Sequence, residues 1–161
     1  MQSSGYENYE ISNFSKKGFS CKHNLNYWQG VDYIGIGAGA HGRLYLKNEN
    51  QRSATVNYHA PEKWLKEIEI NGNAIQKIEK ISKQELLEEL ILTGLRLENG
   101  INNKLFLEHF NKNITQIFDL DKLNKLQDQG LIEFNEGSLK ICPDRKILAN
   151  EIIFRVCEAV Q

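Results

Sequence analysis

Two groups of residues between His23 and Gly42, in the stretch HNLNYWQGVDYIGIGAGAHG, have types and spacings that could do chemistry. The first is His23-Asn24 followed by Tyr27-Trp28. At helical spacing His23 shares a face with Tyr27, and Asn24 shares one with Trp28. Imidazole is a good ligand for iron, and neighbouring aromatic rings offer a flat apolar surface. The group therefore suits stacking on, and ligation of, a planar macrocycle. Hydrogen-bonded packing of an aromatic corner explains the same residues and, on residue types alone, is the favoured reading. The second group is Asp32–Ile36, which leads into Gly37-Ala38-Gly39-Ala40 and His41. The run is short, aromatic and β-branched, and is expected to form a buried parallel strand. Small residues at the C-terminal end of such a strand leave backbone N–H groups open to a ligand. That end is where α/β sheets bind their ligands. A tight turn whose glycines serve packing competes with this and is slightly favoured.

Other chemistries fit less well. GIGAGAHG is not followed by a helix and has no acidic residue at the distance a dinucleotide fingerprint needs, and the lysine and hydroxyl of a phosphate loop are absent. The histidines His23, His41, His59 and His109 show no HExxH or i,i+4 spacing, so no zinc site is signalled. His59, two residues before Pro61, is read as a helix cap and His109 as structural. Cys21, Cys142 and Cys157 are far apart and odd in number, which suits a reducing compartment better than a disulfide framework.

The elements that would position these groups follow from periodicity and punctuation. Tyr9–Phe14 reads as one strand, ended by a turn at Lys16-Lys17-Gly18. Residues 23–29 form a short helix or ordered loop stopped by Gly30. Arg43–Leu46 and Ser53–Tyr58 read as strands joined by the polar tip Lys47–Gln51. Pro61 opens a helix that ends at Asn71-Gly72, with Trp64, Leu65 and Ile68 on its apolar face. Residues 72–80 read as a polar linker. Ser82-x-x-Glu85 is a capping box for the strongest helix, striped by Leu86, Leu90, Ile91, Gly94 and Leu95. Further helices are expected over Asn103–Phe110, over Asp119–Gln129 with Leu120, Leu123 and Leu126 inward, and over Asp144–Val160. A hairpin, Leu131–Phe134 and Ser138–Cys142, turns at Asn135-Glu136-Gly137. From about Pro61 onward the chain is largely helical scaffold.

Bulk properties narrow the class. The 161 residues are 40% hydrophobic and 25% charged, which is enough for one or two small cores, and a net charge of −1 favours neither nucleic acid nor an acidic membrane. Lys122 and Lys125 share their helix region with Asp119, Asp121 and Asp128, which argues against a DNA-reading face. The first ten residues do not read as a signal peptide, and no run approaches the roughly 20 apolar residues of a membrane span.

Taken together, Tyr9-Glu10-Ile11-Ser12-Asn13-Phe14, Cys21-Lys22-His23-Asn24-Leu25-Asn26-Tyr27-Trp28 and Asp32–Gly42 resemble the later part of the oxygen-independent coproporphyrinogen III oxidase-like family of radical SAM proteins. HNxxYW points to its haem-chaperone (HemW-type) branch rather than to the true oxidases. Leu92-Thr93-Gly94-Leu95-Arg96-Leu97, Gly100-Ile101, Gly130-Leu131-Ile132 and Leu148-Ala149-Asn150-Glu151 resemble the family's C-terminal domain. The resemblance implies an α+β chain: a remnant of an α/β barrel over residues 1–75, then a HemN-type winged-helix-like domain over 76–161. It implies S-adenosylmethionine against Gly37, Ala38, Gly39 and Ala40. It makes His23, Asn24, Tyr27 and Trp28 haem-side residues, with His41 a second axial ligand. It assigns no role to Glu10 or Asn13. Ala38 stands where the family pattern usually has proline. The cluster-binding CxxxCxxC of the family is absent, and Cys21, Cys142 and Cys157 do not substitute for it because a cluster needs three converging thiolates. The chain is thus expected to be the C-terminal portion of a longer cytoplasmic protein whose cofactors are S-adenosylmethionine, a 4Fe-4S cluster and haem. Alone it would not generate a radical. Its expected partners are haem or porphyrin, a missing N-terminal half or a second copy, and for the parent a membrane-associated haem acceptor, but not nucleic acid. Two alternatives stand beside this: a fragment of a coproporphyrinogen-decarboxylating oxidase, and a winged-helix interaction module with no cofactor.

Overall fold

The computed structural model describes residues 5–47 and 51–161, so most of the Lys47–Gln51 tip lies outside the described residues. In chain order the elements are β1 (Tyr6–Glu10), β2 (Asn13–Lys16), α1 (Lys22–Trp28), β3 (His41–Leu46), β4 (Gln51–Asn57), α2 (Pro61–Asn71), β5 (Ile75–Lys80), α3 (Lys83–Gly94), β6 (Ile101–Asn102), α4 (Asn103–Phe110), α5 (Ile114–Ile117), α6 (Leu120–Asp128), β7 (Ile132–Phe134), β8 (Ser138–Ile141) and α7 (Ala149–Cys157). They fall into two compact units: the residues up to Gly30 with Leu87–Gln161, and Val31–Leu86.

The first unit holds the main apolar core. Ile91, Leu95, Ile101, Phe106, Ile114, Phe118, Leu123, Ile132, Leu139, Ile152 and Val156 pack in one cluster contributed by helices and by the small sheet β6-β8-β7. The stripe expected on α3 is buried at Leu90, Ile91 and Leu95. The helix Asn103–Phe110 and the hairpin at 135–137 form where periodicity and turn residues place them. Leu120 departs from expectation: it is 39% exposed, because it follows the Asp119 cap directly and lies at the rim of α6. The expected helix Asp144–Val160 is broken. A 3-10 turn runs from Pro143 to Leu148, Leu148 has φ −97° and ψ 12°, and α-helix begins only at Ala149. α5 was not expected, although Asn113-x-x-Gln116 is a capping pattern in which the Gln116 side chain accepts the Asn113 N–H at 2.9 Å.

The expected single strand Tyr9–Phe14 is a hairpin, β1 against β2, with a register shift between Asn8 and Glu10. The reversal at Ile11-Ser12 is local chemistry. Glu10 Oε2 accepts from the Ser12 N–H (3.1 Å), the Ser12 hydroxyl (3.0 Å) and Asn13 Nδ2 (2.6 Å), which offers the backbone an alternative to continuing as a strand.

The second unit is a three-stranded antiparallel sheet, β3-β4-β5, with helix α2. Residues 72–80 are not simply a linker. Gly72 caps α2 at φ +69°, and β5 then pairs with β4, Thr55 opposite Ile78. All six β5 residues are exposed, and lysines at an open edge discourage further pairing. The expected buried parallel strand over Asp32–Ile36 is likewise replaced. Tyr33 exchanges both backbone hydrogen bonds with Arg43 (2.8 and 2.9 Å) in a single antiparallel bridge. Ile34 and Ile36 are 71% and 87% exposed. A parallel strand needs parallel neighbours, and the neighbour here is the chain's own β3. The capping box forms: the Ser82 N–H reaches Glu85 Oε2 at 2.8 Å and the Glu85 N–H reaches Ser82 Oγ at 3.2 Å.

Two glycines separate strain from packing. Gly100 has φ +62°, and a Cβ there would lie 2.2 Å from the Leu139 carbonyl oxygen, whereas Gly130 at φ +65° would meet nothing within 4 Å. Gly130→Ala is expected to cost about 1–2 kcal/mol from backbone conformation alone, and Gly100→Ala about 2–4 kcal/mol because the rigid β8 backbone must also move. Chemical denaturation of both variants checks this, and equal costs would contradict the packing assigned to Gly100.

Candidate functional site

Helix α1 carries His23, Asn24, Tyr27 and Trp28. It is seven residues long, has no side-chain cap, and buries none of its residues fully. A helix this short does not persist by itself in water, so its place is set by contacts from elsewhere in its unit. Trp28 lies beneath the Arg96 guanidinium, 4.8 Å from the ring centroid. Tyr27 meets Trp28 edge-on at 4.8 Å. Asn24 Nδ2 reaches the Tyr9 hydroxyl at 3.4 Å. His23 and Tyr27 are exposed on the same helix, Tyr27 by 41%. The Trp28 indole N–H is buried without an acceptor among the described residues.

Arg96 is held in turn by Glu10, whose side chain is 0% exposed. Glu10 Oε1 accepts from Arg96 Nε at 2.9 Å and Nη2 at 2.7 Å, while Oε2 takes the Ser12 and Asn13 donors. The backbone ties the same segments: the Ile11 N–H donates to the Arg96 carbonyl at 3.1 Å and the Glu98 N–H to the Tyr9 carbonyl at 3.2 Å. Burial pushes the Glu10 carboxyl upward, but the Ser12 hydrogen bonds and then Arg96 outweigh it and hold it below the ordinary glutamate value of 4.5. Three motifs, YEISN, HNxxYW and LTGLRL, thus meet at one buried ion pair. The sequence signal for it is weak: Arg96 lies between Leu95 and Leu97, but Glu10 sits in a largely polar stretch beside a second acid, Glu7. The separation of Glu10 and Arg96 by 86 residues hid the pairing.

The glycine-rich segment lies in the other unit, between the Tyr33 bridge and β3. A Cβ at Gly35 would lie 2.4 Å from the His41 carbonyl oxygen and one at Gly42 2.5 Å from Thr55 Oγ1. These two glycines serve packing. The Gly39 N–H donates to the Tyr58 carbonyl at 2.8 Å and the Ala40 N–H to the Gly37 carbonyl at 3.3 Å, so two of the four backbone donors expected to face a ligand are engaged internally. Asn57, a buried residue on which the motif reading places no weight, donates through Nδ2 to the carbonyls of Gly35 (3.1 Å) and Gly37 (2.9 Å). Gly37 has φ +106° and open space where a Cβ would stand, and Ala38 is exposed. The approach left for a ligand is therefore at Gly37 and Ala38, with exposed His41 starting β3. Among the described residues no three His, Cys, Asp or Glu side chains gather as a metal-holding group.

Comparison with known proteins agrees with the motif resemblance. Residues 81–143 match the HemN C-terminal domain. The chain is 34% identical over 152 residues to heme chaperone HemW of Bacillus subtilis, covering 94% of this chain and 38% of that protein. It is 33% identical over 145 residues to the mitochondrial radical S-adenosyl methionine domain-containing protein 1 of Bos taurus, covering 87% of this chain and 33% of that one. Among solved structures, coproporphyrinogen III oxidase (HemN) from Escherichia coli, described as a radical SAM enzyme, superposes with a TM-score of 0.64 at 14% identity, over 96% of this chain and 38% of that one. That likeness concerns the fold: mixed α/β with small sheets. The chain thus resembles the C-terminal part of HemW-type heme chaperones and spans little more than a third of their length.

The Glu10 carboxylate gives a pH dependence of definite sign. Its folded-state pKa lies below its unfolded value, so its stabilisation is complete above 4.5 and is lost as pH falls through the folded value. In a thermal-unfolding series from neutral to acid pH, the wild-type chain is expected to lose more stability below that point than Glu10→Gln. Parallel acid limbs for the two proteins would contradict the ion-pair assignment.

Proposed function

We propose that this chain is the haem-handling C-terminal portion of a radical SAM haem chaperone, with haem as its cargo. The observation that carries the reading is α1, where an exposed imidazole and an exposed aromatic ring share one short helix in the HNxxYW pattern. The donor set fits the cargo. The His23 imidazole can ligate iron, and Tyr27 offers a flat apolar face to the macrocycle. Trp28 and Asn24 anchor the helix that presents them. His41 is the second candidate ligand. Identity of 33–34% to proteins named heme chaperone or radical S-adenosyl methionine domain-containing protein favours this over an oxidase fragment, whose support is the HemN C-terminal domain match and a fold likeness at 14% identity.

We further assign residues 1–75 to the last part of a barrel whose remainder the parent protein would supply, and residues 76–161 to a winged-helix-like accessory domain. In this reading the parent protein brings the iron–sulfur cluster, S-adenosylmethionine rests against Gly37 and Ala38, and the working place is the cytoplasm. Val31, Ile34, Ile36, Leu65, Ile70 and Ile78 are exposed within one small unit, an unusual density of large apolar side chains for a finished surface. No helix among the described residues is long and apolar enough to cross a membrane.

Hemin titration followed at the Soret band tests the cargo. The chain is expected to give a saturable red shift that His23→Ala abolishes or weakens by about tenfold or more, and that His41→Ala alters if it is the second ligand. A shift indifferent to both substitutions, or none that saturates, overturns the haem reading. The exposed apolar unit is expected to make the isolated chain self-associate; a strictly monomeric species across concentrations in light scattering contradicts the partial-barrel assignment.

A further inference from the structure

A fully buried carboxylate paired with arginine is costly to assemble, and an apolar pair of similar volume is often at least as stabilising. What the Glu10–Arg96 pair supplies that an apolar pair cannot is orientation. Arg96 uses both Nε and one Nη on a single Glu10 oxygen, at 2.9 and 2.7 Å, which fixes the plane of the guanidinium. The Arg96 Cζ so held lies over the Trp28 ring, 4.8 Å from its centroid. Glu10 itself cannot turn, because its other oxygen is held by Ser12 and Asn13. The chain of contacts therefore runs from a hairpin turn, through an ion pair, to an indole, and ends on a helix with no fully buried residue of its own.

We propose that Glu10 and Arg96 are positioning residues for α1: the carboxylate holds the guanidinium over Trp28, and this contact sets how the helix presents His23 and Tyr27 to a planar, iron-bearing ligand. The inference rests on the haem reading for its ligand, but not for the clamp. It assigns a task to the YEISN segment, for which the resemblance supplied none. It also joins Asn13 to the site, through its donation to Glu10 Oε2 at 2.6 Å.

The test uses Trp64→Phe as background, which leaves Trp28 as the sole tryptophan of the two in the chain. Arg96→Met, Arg96→Lys, Glu10→Gln and the core control Ile152→Ala are compared by near-ultraviolet circular dichroism, thermal unfolding and hemin titration. Arg96→Met and Glu10→Gln are expected to collapse the Trp28 dichroic band and to weaken hemin binding about tenfold, the size of one partly desolvated cation–π contact. The Soret maximum of the complex should stay unchanged, since His23 is intact. Arg96→Lys should recover part of the affinity, having the charge but not the planar fork. Ile152→Ala should lower the melting temperature and leave both the band and the affinity alone. If Ile152→Ala loses hemin affinity in the same proportion to its fall in melting temperature as the Glu10 and Arg96 variants do, or if the Trp28 band is indifferent to Arg96→Met, the proposal is overturned. If the unsubstituted chain binds no hemin, the haem reading fails by itself and the Trp28 band alone decides the clamp.

Discussion

A carboxylate removed entirely from water must be met by donors, and Glu10 is met on both oxygens. Arg96 takes one, and Ser12 and Asn13 take the other. This arrangement dictates much of what surrounds it. The hairpin turns where it does because the turn residues are those donors. The segment just after α3 is drawn against β1 because it carries Arg96, the counter-charge, and the backbone hydrogen bonds between 9–11 and 96–98 follow. The unpaired alternative, a buried ion without its partner, costs several kcal/mol, so hairpin, helix end and α1 are coupled rather than merely adjacent.

The core of the same unit works on a different principle. Phe106, Phe118, Leu123, Leu139 and Ile152 are held by burial and close packing, with no directional requirement beyond shape. Rigidity for α1 does not come from that core, since none of its residues is fully buried. A small directional contact is therefore asked to do what apolar burial does elsewhere, and it leaves an imidazole and an aromatic ring exposed instead of absorbing them into the interior. That combination of fixed placement and open face would suit the large flat ligand proposed for it.

The unit Val31–Leu86 shows the opposite state. Its central strand buries polar residues, Arg52, Ser53, Thr55 and Asn57, while isoleucines at 34, 36, 70 and 78 face outward. Asn57 alone fastens two carbonyls of the glycine segment and, through its N–H, a third at Ala40. A segment built this way keeps its turn without an apolar core of its own.

The sequence by itself determined the elements with strong local signals. These are the α2 stop at Gly72, the Ser82–Glu85 box, α4, α6 and the β7–β8 hairpin, because capping, helical periodicity and turn chemistry act within four or five residues. The motifs also carried the kinship to HemW-type proteins. Tertiary structure decided the rest. Residues 32–36, patterned for a parallel strand, instead meet β3 through the single antiparallel bridge Tyr33–Arg43, and the polar run 75–80 became a strand because β4 had an open edge. The Glu10–Arg96–Trp28 node was hidden for the same reason. A pairing across 86 residues has no period and no spacing to read, and only folding brings the charges within hydrogen-bond reach.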